Sequence, residues 1–337
     1  MRVGLACVVV SVLIGCGSPN RPAVVGDDGD DQPKLDAGID ADSGLQPPAT
    51  GSGFQLQSPQ IDIQPGKDLT FCYYLDLPNA ADAEIQKWES QLSDGVEGVV
   101  LYVTPTEMKT AGTLTTDGCG YKSLKGQRWA YQSQTARDAM VFPANDGAGH
   151  PVGFPIVANQ PAYLQIHLVN PGTEILHTQV KINGSTYPDS ATVTEAGPYV
   201  TYDTAISIPP GSTASPSTAA VMRSCRAPAG SQFFTMSTHT YRHGSRTQVT
   251  DTPTAGAATT LFEGTNWLKP NDISMIPASF YTFSGKLTIR CEYTSTESAT
   301  IVSGDDASKN EICTAVGYYF PSPGGVGTYC EDGILAN

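Results

Sequence analysis

The segment Thr238–Arg246 (THTYRHGSR) holds the side chains best suited to metal chemistry in this sequence. Side chains alternate between the two faces of a strand, so an extended segment would put His239, Tyr241 and His243 on one face. Residues two positions apart then lie about 6.8 Å from each other, close enough for two imidazoles to hold one metal ion. His239 and His243 are about twice as far apart and would chelate poorly alone. The segment thus indicates a metal site or, alternatively, a packed polar pair of His239 and Tyr241.

Other catalytic patterns are missing from the sequence. It contains no G-x-S-x-G elbow of a serine hydrolase, no H-E-x-x-H motif and no phosphate-binding P-loop. The formal net charge is −14, and binding to phosphates requires a basic face. We therefore expect no nucleic-acid partner.

The cysteines indicate the compartment. Beyond the first 16 residues the chain has an even set of six: Cys72, Cys119, Cys225, Cys291, Cys313 and Cys330. In an exported chain such a set favours disulfides, although sequence alone leaves their pairing open. Neighbouring cysteines lack the C-x-x-C spacing of a structural zinc site.

The N-terminus reads as an export signal. Met1–Gly15 has one positive charge at Arg2, a short apolar core and small residues at its end. The next residue is Cys16, and the run Leu13-Ile14-Gly15-Cys16 resembles a bacterial lipobox. That resemblance implies cleavage before Cys16, a lipid on its sulfur and an extracytoplasmic, membrane-anchored protein of the bacterial cell envelope, periplasmic or surface-exposed. An ordinary cleaved signal peptide is the alternative.

Residues 16–53 are predicted to be a disordered acidic linker. Seven aspartates lie between Asp27 and Asp42, and the first aromatic residue after them is Phe54. A segment this polar cannot bury enough apolar surface to offset the entropy of ordering its chain.

The rest of the chain has the pattern of strands. Short runs rich in Val, Ile, Thr, Tyr and Phe recur between Gly, Pro, Asn and Asp, while helical periodicity is limited to Ala80–Leu92. The pattern predicts an all-β protein of two antiparallel β-sandwiches, with one short helix at Ala80–Leu92. The Pro/Gly and Ser/Thr-rich stretch after Ile208 suggests domains at 54–203 and 204–337.

Motifs in both halves resemble one enzyme family. The C-terminal half contains His239-Thr240-Tyr241 before Gly244, then Cys291-Glu292-Tyr293 and Glu311-Ile312-Cys313. The N-terminal half contains Pro65–Cys72 (PGKDLTFC), Ser93–Tyr102 (SDGVEGVVLY) and Tyr163–His167 (YLQIH). In order and spacing these resemble the copper type II, ascorbate-dependent monooxygenases, which include the peptidylglycine and dopamine hydroxylases. The likeness extends over most of residues 60–330.

The resemblance implies a fold and a metal pair. It implies two jelly-roll-like sandwiches side by side, with disulfides Cys72–Cys119, Cys225–Cys330 and Cys291–Cys313. It also implies one copper held by three histidines and a second held by two histidines and a methionine. Ascorbate or another reductant supplies the electrons in that family.

Most of the copper ligands are replaced in this chain. By resemblance, the first site falls on Glu97, Gly98 and His167, and the second falls on His239, Tyr241 and Ile312. Glycine and isoleucine have no donor atom, and a carboxylate oxygen suits Cu(I) badly. We therefore expect a protein whose copper chemistry is lost or strongly impaired and which binds a small-molecule or peptide ligand at the envelope. The alternatives are an active copper oxidoreductase that hydroxylates a C–H bond with O2 and a reductant through a rebuilt site, and a purely structural envelope protein.

Overall fold

The computed structural model describes residues 44–120, 126–253, 256–267, 273–274, 280–283, 285–304 and 306–335. The predicted signal peptide, the lipid site Cys16 and most of the predicted linker lie outside these residues. No helix in the described part has the length and apolar character needed to cross a membrane.

The described chain contains strands, short turns and one 3₁₀ turn at Pro323–Gly325. The first half has thirteen strands: β1 (Gly53–Gln57), β2 (Ile61–Ile63), β3 (Lys67–Asp76), β4 (Ala83–Leu92), β5 (Val96–Val103), β6 (Leu114–Thr115), β7 (Arg128–Ser133), β8 (Arg137–Val141), β9 (Val152–Ile156), β10 (Pro161–Asn170), β11 (Leu176–Thr178), β12 (Val180–Thr186) and β13 (Thr194–Glu195). The second half has thirteen more: β14 (Gly197–Tyr202), β15 (Ser207–Ile208), β16 (Ser217–Arg226), β17 (Gln232–His239), β18 (Gly244–Pro253), β19 (Thr259–Gly264), β20 (Ile273–Ser274), β21 (Tyr281–Thr282), β22 (Gly285–Ser295), β23 (Ile301–Val302), β24 (Thr314–Phe320), β25 (Thr328–Glu331) and β26 (Ile334–Leu335).

Each half forms a sandwich of two main sheets. The first sandwich pairs the sheet β1-β12-β4-β9-β13, with β8 beside β4, and the sheet β6-β3-β10-β5-β7. The second pairs β20-β17-β24-β14-β25-β26, with β21 beside β17, and β16-β22-β18-β19. Neighbouring strands are antiparallel except for the parallel pairs β13–β9 and β14–β25. The predicted all-β, mainly antiparallel class is confirmed.

The predicted helix at Ala80–Leu92 is wrong, because this segment is strand β4. Trp88, Ser90 and Leu92 are buried while the residues between them are partly exposed, which is the two-residue period of a strand. The pairing of β4 with β12 skips a residue near Gln86, so the buried residues Ile85 and Trp88 lie three positions apart. Because of this bulge, the buried residues of the segment have a spacing that resembles that of a helix.

The sheet containing β24 is enclosed on both sides. All seven residues of β24 and all six of β14 are buried. Phe233, Met236 and Tyr319 join the interior of the second sandwich, whereas Phe234 and Tyr318 belong to an apolar cluster that continues into the first sandwich. A strand buried on both faces reads as a continuous apolar run, as β24 does (TAVGYYF).

Polar and aromatic contacts join the two sandwiches. The Phe142 ring lies 5.5 Å from the Phe234 ring and 6.2 Å from the Tyr318 ring, centroid to centroid. The Trp129 amide donates to Tyr329 Oη at 2.9 Å, and Tyr318 Oη donates to the Trp129 carbonyl at 3.3 Å. Residues 44–337 therefore form one compact unit.

Strand pairing shows where the chain leaves one sandwich for the other. Leu45, near the start of the described residues, is already buried beside Gln91 of β4. The chain passes between the sandwiches at Ala196, since β13 pairs with β9 and β14 pairs with β24. The domain bounds 54–203 and 204–337 stay predictions.

The described residues contain three disulfides: Cys72–Cys119, Cys225–Cys330 and Cys291–Cys313. These are the pairs that the family resemblance implied. The last two bridge the two main sheets of the second sandwich, joining β16 to β25 and β22 to the residue before β24.

Candidate functional site

The first half of the candidate site lies where β5 and β10 pair. His167 on β10 is opposite Gly98 on β5, and the next pair is Leu168 with Val96. Glu97 is therefore the extra residue of a β-bulge, which brings positions 97 and 98 beside one imidazole. The family resemblance assigned three copper-ligand positions to Glu97, Gly98 and His167, and these three residues lie together in the structure. We call the six positions assigned in this way the carried-over ligand positions.

The same face of β10 carries Gln165 two residues before His167. Gln165 lies opposite Val100 of β5 and Cys72 of β3, and only 8% of its surface is exposed. Its side-chain oxygen is buried and has no hydrogen-bond partner.

The second half of the site lies at the end of β17. His239 is the last residue of β17 and pairs with Thr314 of β24. The chain then turns, with the Gly244 amide donating to the Tyr241 carbonyl at 3.0 Å, and β18 begins at Gly244. The prediction of one continuous strand with His239, Tyr241 and His243 on one face is wrong. Tyr241 faces the cleft with His239, whereas His243 is buried outside the cleft lining.

Glu311 holds this turn in place. Its carboxylate accepts the amides of Tyr241 at 2.9 Å and His243 at 2.7 Å, and that of Ile312 at 3.3 Å. The side chain has no solvent exposure. Burial raises the pKa of Glu311 to about 7, and the three amide donors counteract part of this rise.

The two halves face each other across a cleft. It consists of a cavity of about 250 Å³ and an adjoining one of about 50 Å³. Both are lined by the same five side chains, Glu97, Gln134, His167, His239 and Tyr241. Gly98, Gln132 and Gln165 line the smaller cavity, and Asp68, Arg242 and Trp267 line the larger one. The cleft thus lies between the sandwiches and includes five of the six carried-over ligand positions.

The two imidazoles in the cleft already have hydrogen-bond partners. His167 Nε2 lies 2.8 Å from Asp68 Oδ1, and Gln134 Nε2 donates to His239 Nδ1 at 2.9 Å. Ring contacts place Tyr241 between them, 6.2 Å from His167 and 5.7 Å from His239, centroid to centroid.

His239 is neutral at ordinary pH. Enclosure by protein, with His167 nearby, lowers the pKa of His239 to about 3. The Gln134 side-chain nitrogen lies 2.9 Å from His239 Nδ1 and 3.4 Å from His239 Nε2, so it faces both ring nitrogens.

The residues of the cleft do not fit a copper pair. Ile312, which the resemblance places at the methionine position, is fully buried in the apolar cluster that includes Tyr241 and offers no donor. Gly98 lacks a side chain, and the Glu97 oxygen is a poor ligand for Cu(I). Within the described residues, no group of three or more His, Cys, Asp or Glu side chains could hold a metal ion. One imidazole per site is too few for tight binding.

Several residues that line the cleft were not predicted from the sequence. Gln165 could have been found, because it lies two positions before His167 and therefore on the same face of the strand. Gln134 and Trp267 follow the strands β7 and β19, in loops whose approach to His239 and Tyr241 no local pattern encodes.

The described chain forms two β-sandwiches with a cleft lined by residues of both. Residues 189–333 match the family model of the copper type II ascorbate-dependent monooxygenase, C-terminal domain. The match includes β14 to β25, so the second sandwich is similar to the C-terminal domain of those enzymes and the predicted resemblance is confirmed there. The resemblance of the first sandwich stays a prediction.

Other comparisons add little. No curated protein sequence matches the chain. Among solved structures, the PBSX exported protein XepA is 9% identical, with a TM-score of 0.23, over 81% of this chain and 89% of that one. A structure of infectious bursal disease virus, Gt strain, is also 9% identical, with a TM-score of 0.14, over 84% and 77%. Both TM-scores are too low to support a conclusion.

Proposed function

We propose that this protein is an extracytoplasmic binding module that keeps a monooxygenase-like scaffold without copper chemistry. One observation carries the proposal: the cleft still brings the carried-over positions together, yet Gly98 has no side chain and Ile312 no donor atom. The cavity between the sandwiches is then a place for a ligand. Pockets lined by aromatic rings and a few polar groups are typical of small-molecule sites.

The proposed location is the bacterial cell envelope, with lipid on Cys16 as the anchor. Three disulfides support an oxidising, extracytoplasmic compartment. The lipid anchor and the bacterial envelope are proposed from the sequence of the leader and Cys16 alone. Mass spectrometry of the membrane fraction tests it, since a diacylglyceryl group on an N-terminal Cys16 is expected and an unmodified chain cut elsewhere would contradict it.

Copper loading tests the loss of metal chemistry. We expect the purified protein to bind no copper at micromolar concentration after incubation with Cu(II) or with Cu(I) and ascorbate, as read by metal analysis and electron paramagnetic resonance. A stoichiometric copper signal with nitrogen ligands would contradict the proposal.

Restoring the ligands provides the positive control. Glu97→His with Gly98→His rebuilds a three-imidazole set with His167, and adding Tyr241→His and Ile312→Met rebuilds the second set. A Cβ atom at Gly98 would meet Gln134 Cγ at 3.5 Å, an ordinary contact, so the first pair should fold. If these variants bind copper and the parent does not, the result supports a scaffold that lacks only the side chains that donate to the metal.

An active oxidoreductase is the second candidate. The nearness of His167, Tyr241 and His239 favours it, because a rebuilt site would need such a cluster. It predicts oxygen uptake that depends on both copper and a reductant. Uptake equal to that of a heat-denatured control would eliminate it.

A further inference from the structure

We propose that the cleft binds a neutral, hydroxyl-rich molecule, a sugar, with Gln165 Oε1 accepting one of its hydroxyl groups. This inference rests on the proposed function, because a copper pair would fill the same space. It assigns a ligand class to the cavity and a role to a residue outside the six carried-over positions.

The buried amide of Gln165 is the first observation. A buried oxygen without a donor typically costs about 1–3 kcal/mol, so native proteins seldom leave one without purpose. Gln165 lines the smaller cavity beside Gln132, and Thr70 and Gly98 complete that wall. A hydroxyl entering from the cavity would supply the missing donor.

The second observation is the mixture of donors and acceptors. Gln132 and Gln134 each bring an amide, which both donates and accepts, and the neutral His239 ring has one donor and one acceptor nitrogen. A hydroxyl group also donates and accepts, so a sugar with adjacent hydroxyls can satisfy several of these groups together. A ligand with donors alone, such as an ammonium ion, would satisfy fewer.

Two of the charged groups of the larger cavity have partners within the protein. Asp68 Oδ1 lies 2.8 Å from His167 Nε2, and Arg242 Nη2 donates to Glu297 Oε1 at 2.9 Å. Glu97, an exposed residue, is the remaining carboxylate of the lining. The interior therefore favours an uncharged ligand over an ion.

Aromatic rings and size complete the argument. Tyr241 and Trp267 line the larger cavity, and the C–H face of a sugar ring packs well against such rings. Its volume of about 250 Å³ is just below the common range of ligand pockets, roughly 300–1,000 Å³. The cleft is therefore suited to one sugar ring, either a monosaccharide or the end of a longer chain.

Calorimetric titration of the purified mature protein tests the inference. The probes are N-acetylglucosamine, methyl β-glucoside and methyl β-galactoside, with phenethylamine as a cationic and N-acetylglycine methylamide as a peptide comparison. We expect saturable binding of at least one sugar and none of the comparison compounds. Gln165→Leu should weaken that binding at least tenfold, or about 1.4 kcal/mol.

Matched variants separate binding from folding. Gln165→Leu should not lower the melting temperature, because it removes a buried oxygen that has no partner. Gln60→Leu makes the same substitution at an exposed residue just before β2, outside the cleft lining, and should leave sugar binding unchanged. Gly98→Val, which fills the cavity wall, should also abolish binding and serves as the test if Gln165→Leu does not fold.

The outcomes separate the two proposals. If no probe sugar binds, if only the amine or the peptide binds, or if Gln165→Leu binds as the parent does, the sugar assignment is overturned. The copper-loading experiment then decides whether the proposed binding module is retained. Tight copper binding by the parent would instead remove the proposed function itself.

Discussion

The neutrality of His239 follows from its surroundings. A pKa of about 3 means that the imidazole stays uncharged from about pH 4.5 to pH 8. We predict that the ring nitrogen signals of His239 in two-dimensional NMR show no titration over this range, while free imidazole in the same tube titrates normally. A midpoint above pH 5 would contradict the enclosed, Gln134-bonded ring described above.

Glu311 gives a prediction about pH. Its folded pKa of about 7 exceeds its ordinary value of 4.5, so the folded state holds the proton more tightly than the unfolded state. The contribution of Glu311 to the free energy of unfolding is therefore complete below pH 4.5 and decreases as pH rises towards 7.

Glu311→Gln, which resembles the protonated acid, should be insensitive to this change. Between pH 5 and pH 8 we expect the stability of the variant relative to the parent to rise by roughly 2–3 kcal/mol, at about 1.4 kcal/mol per pH unit. Urea denaturation at both pH values measures the difference. Glu84, whose pKa burial also raises to about 7, is the matched control, because Glu84→Gln should leave the Glu311 contribution in place.

Residue types predicted part of the site. The strand pattern and the family motifs identified His167, His239 and Tyr241, and the structure places all three in one cleft. The role of Glu311 was not predictable, because it depends on amides that the sequence does not distinguish from others. Gln134 likewise meets His239 across 105 positions in the sequence.

At the scale of elements, the glycine contacts give a paired test. Gly184 on β12 lies opposite Trp88 of β4 and Phe54 of β1, and an added Cβ would meet their rings at 2.8 and 2.9 Å. Gly184→Ala should lower the free energy of unfolding by roughly 1–3 kcal/mol through overpacking.

The matched variant is Gly98→Ala on β5. Its Cβ would meet nothing closer than 3.5 Å, so it should leave stability unchanged or raise it by about 0.4–1 kcal/mol. Denaturant titration of both variants checks the pair. Equal effects would show that backbone freedom, and not ring packing, sets the requirement for glycine at Gly184.

A bulge in β4 and a turn after β17 explain why two segments were predicted wrongly. Strand positions with regular alternation were readable, as in β10. At β4 a bulge near Gln86 changed the spacing of the buried residues, and at β17 the turn held by Glu311 ended the strand after His239. Both irregularities depend on partners that are distant in sequence, so local periodicity could not reveal them.

At the scale of the molecule, the sandwiches share a core and should unfold together. Phe142 from the first sandwich packs on Phe234 and Tyr318 from the second. Phe142→Ala should lower the free energy of unfolding by about 3–5 kcal/mol. We expect calorimetry to show one transition in both proteins, at a lower temperature in the variant. Two separate transitions in the parent would mean that the sandwiches are energetically independent.

The two-sandwich architecture was predictable from strand runs and motifs, but its shared core was not. A continuous apolar run such as that of β24 is typical of a strand buried on both faces, but it does not identify what covers each face. The answer lies in Phe142 and Trp129, which precede β24 by more than 150 residues and carry no local mark of that contact.

The double enclosure of β24 also bears on how such a protein can change over time. A substitution on β24 disturbs one core or the other, since the strand has no side facing water. The position Glu97, by contrast, is an exposed residue of a bulge, where exchange of the side chain leaves both cores intact. The chemistry of this side of the cleft can therefore change without any change in the buried framework.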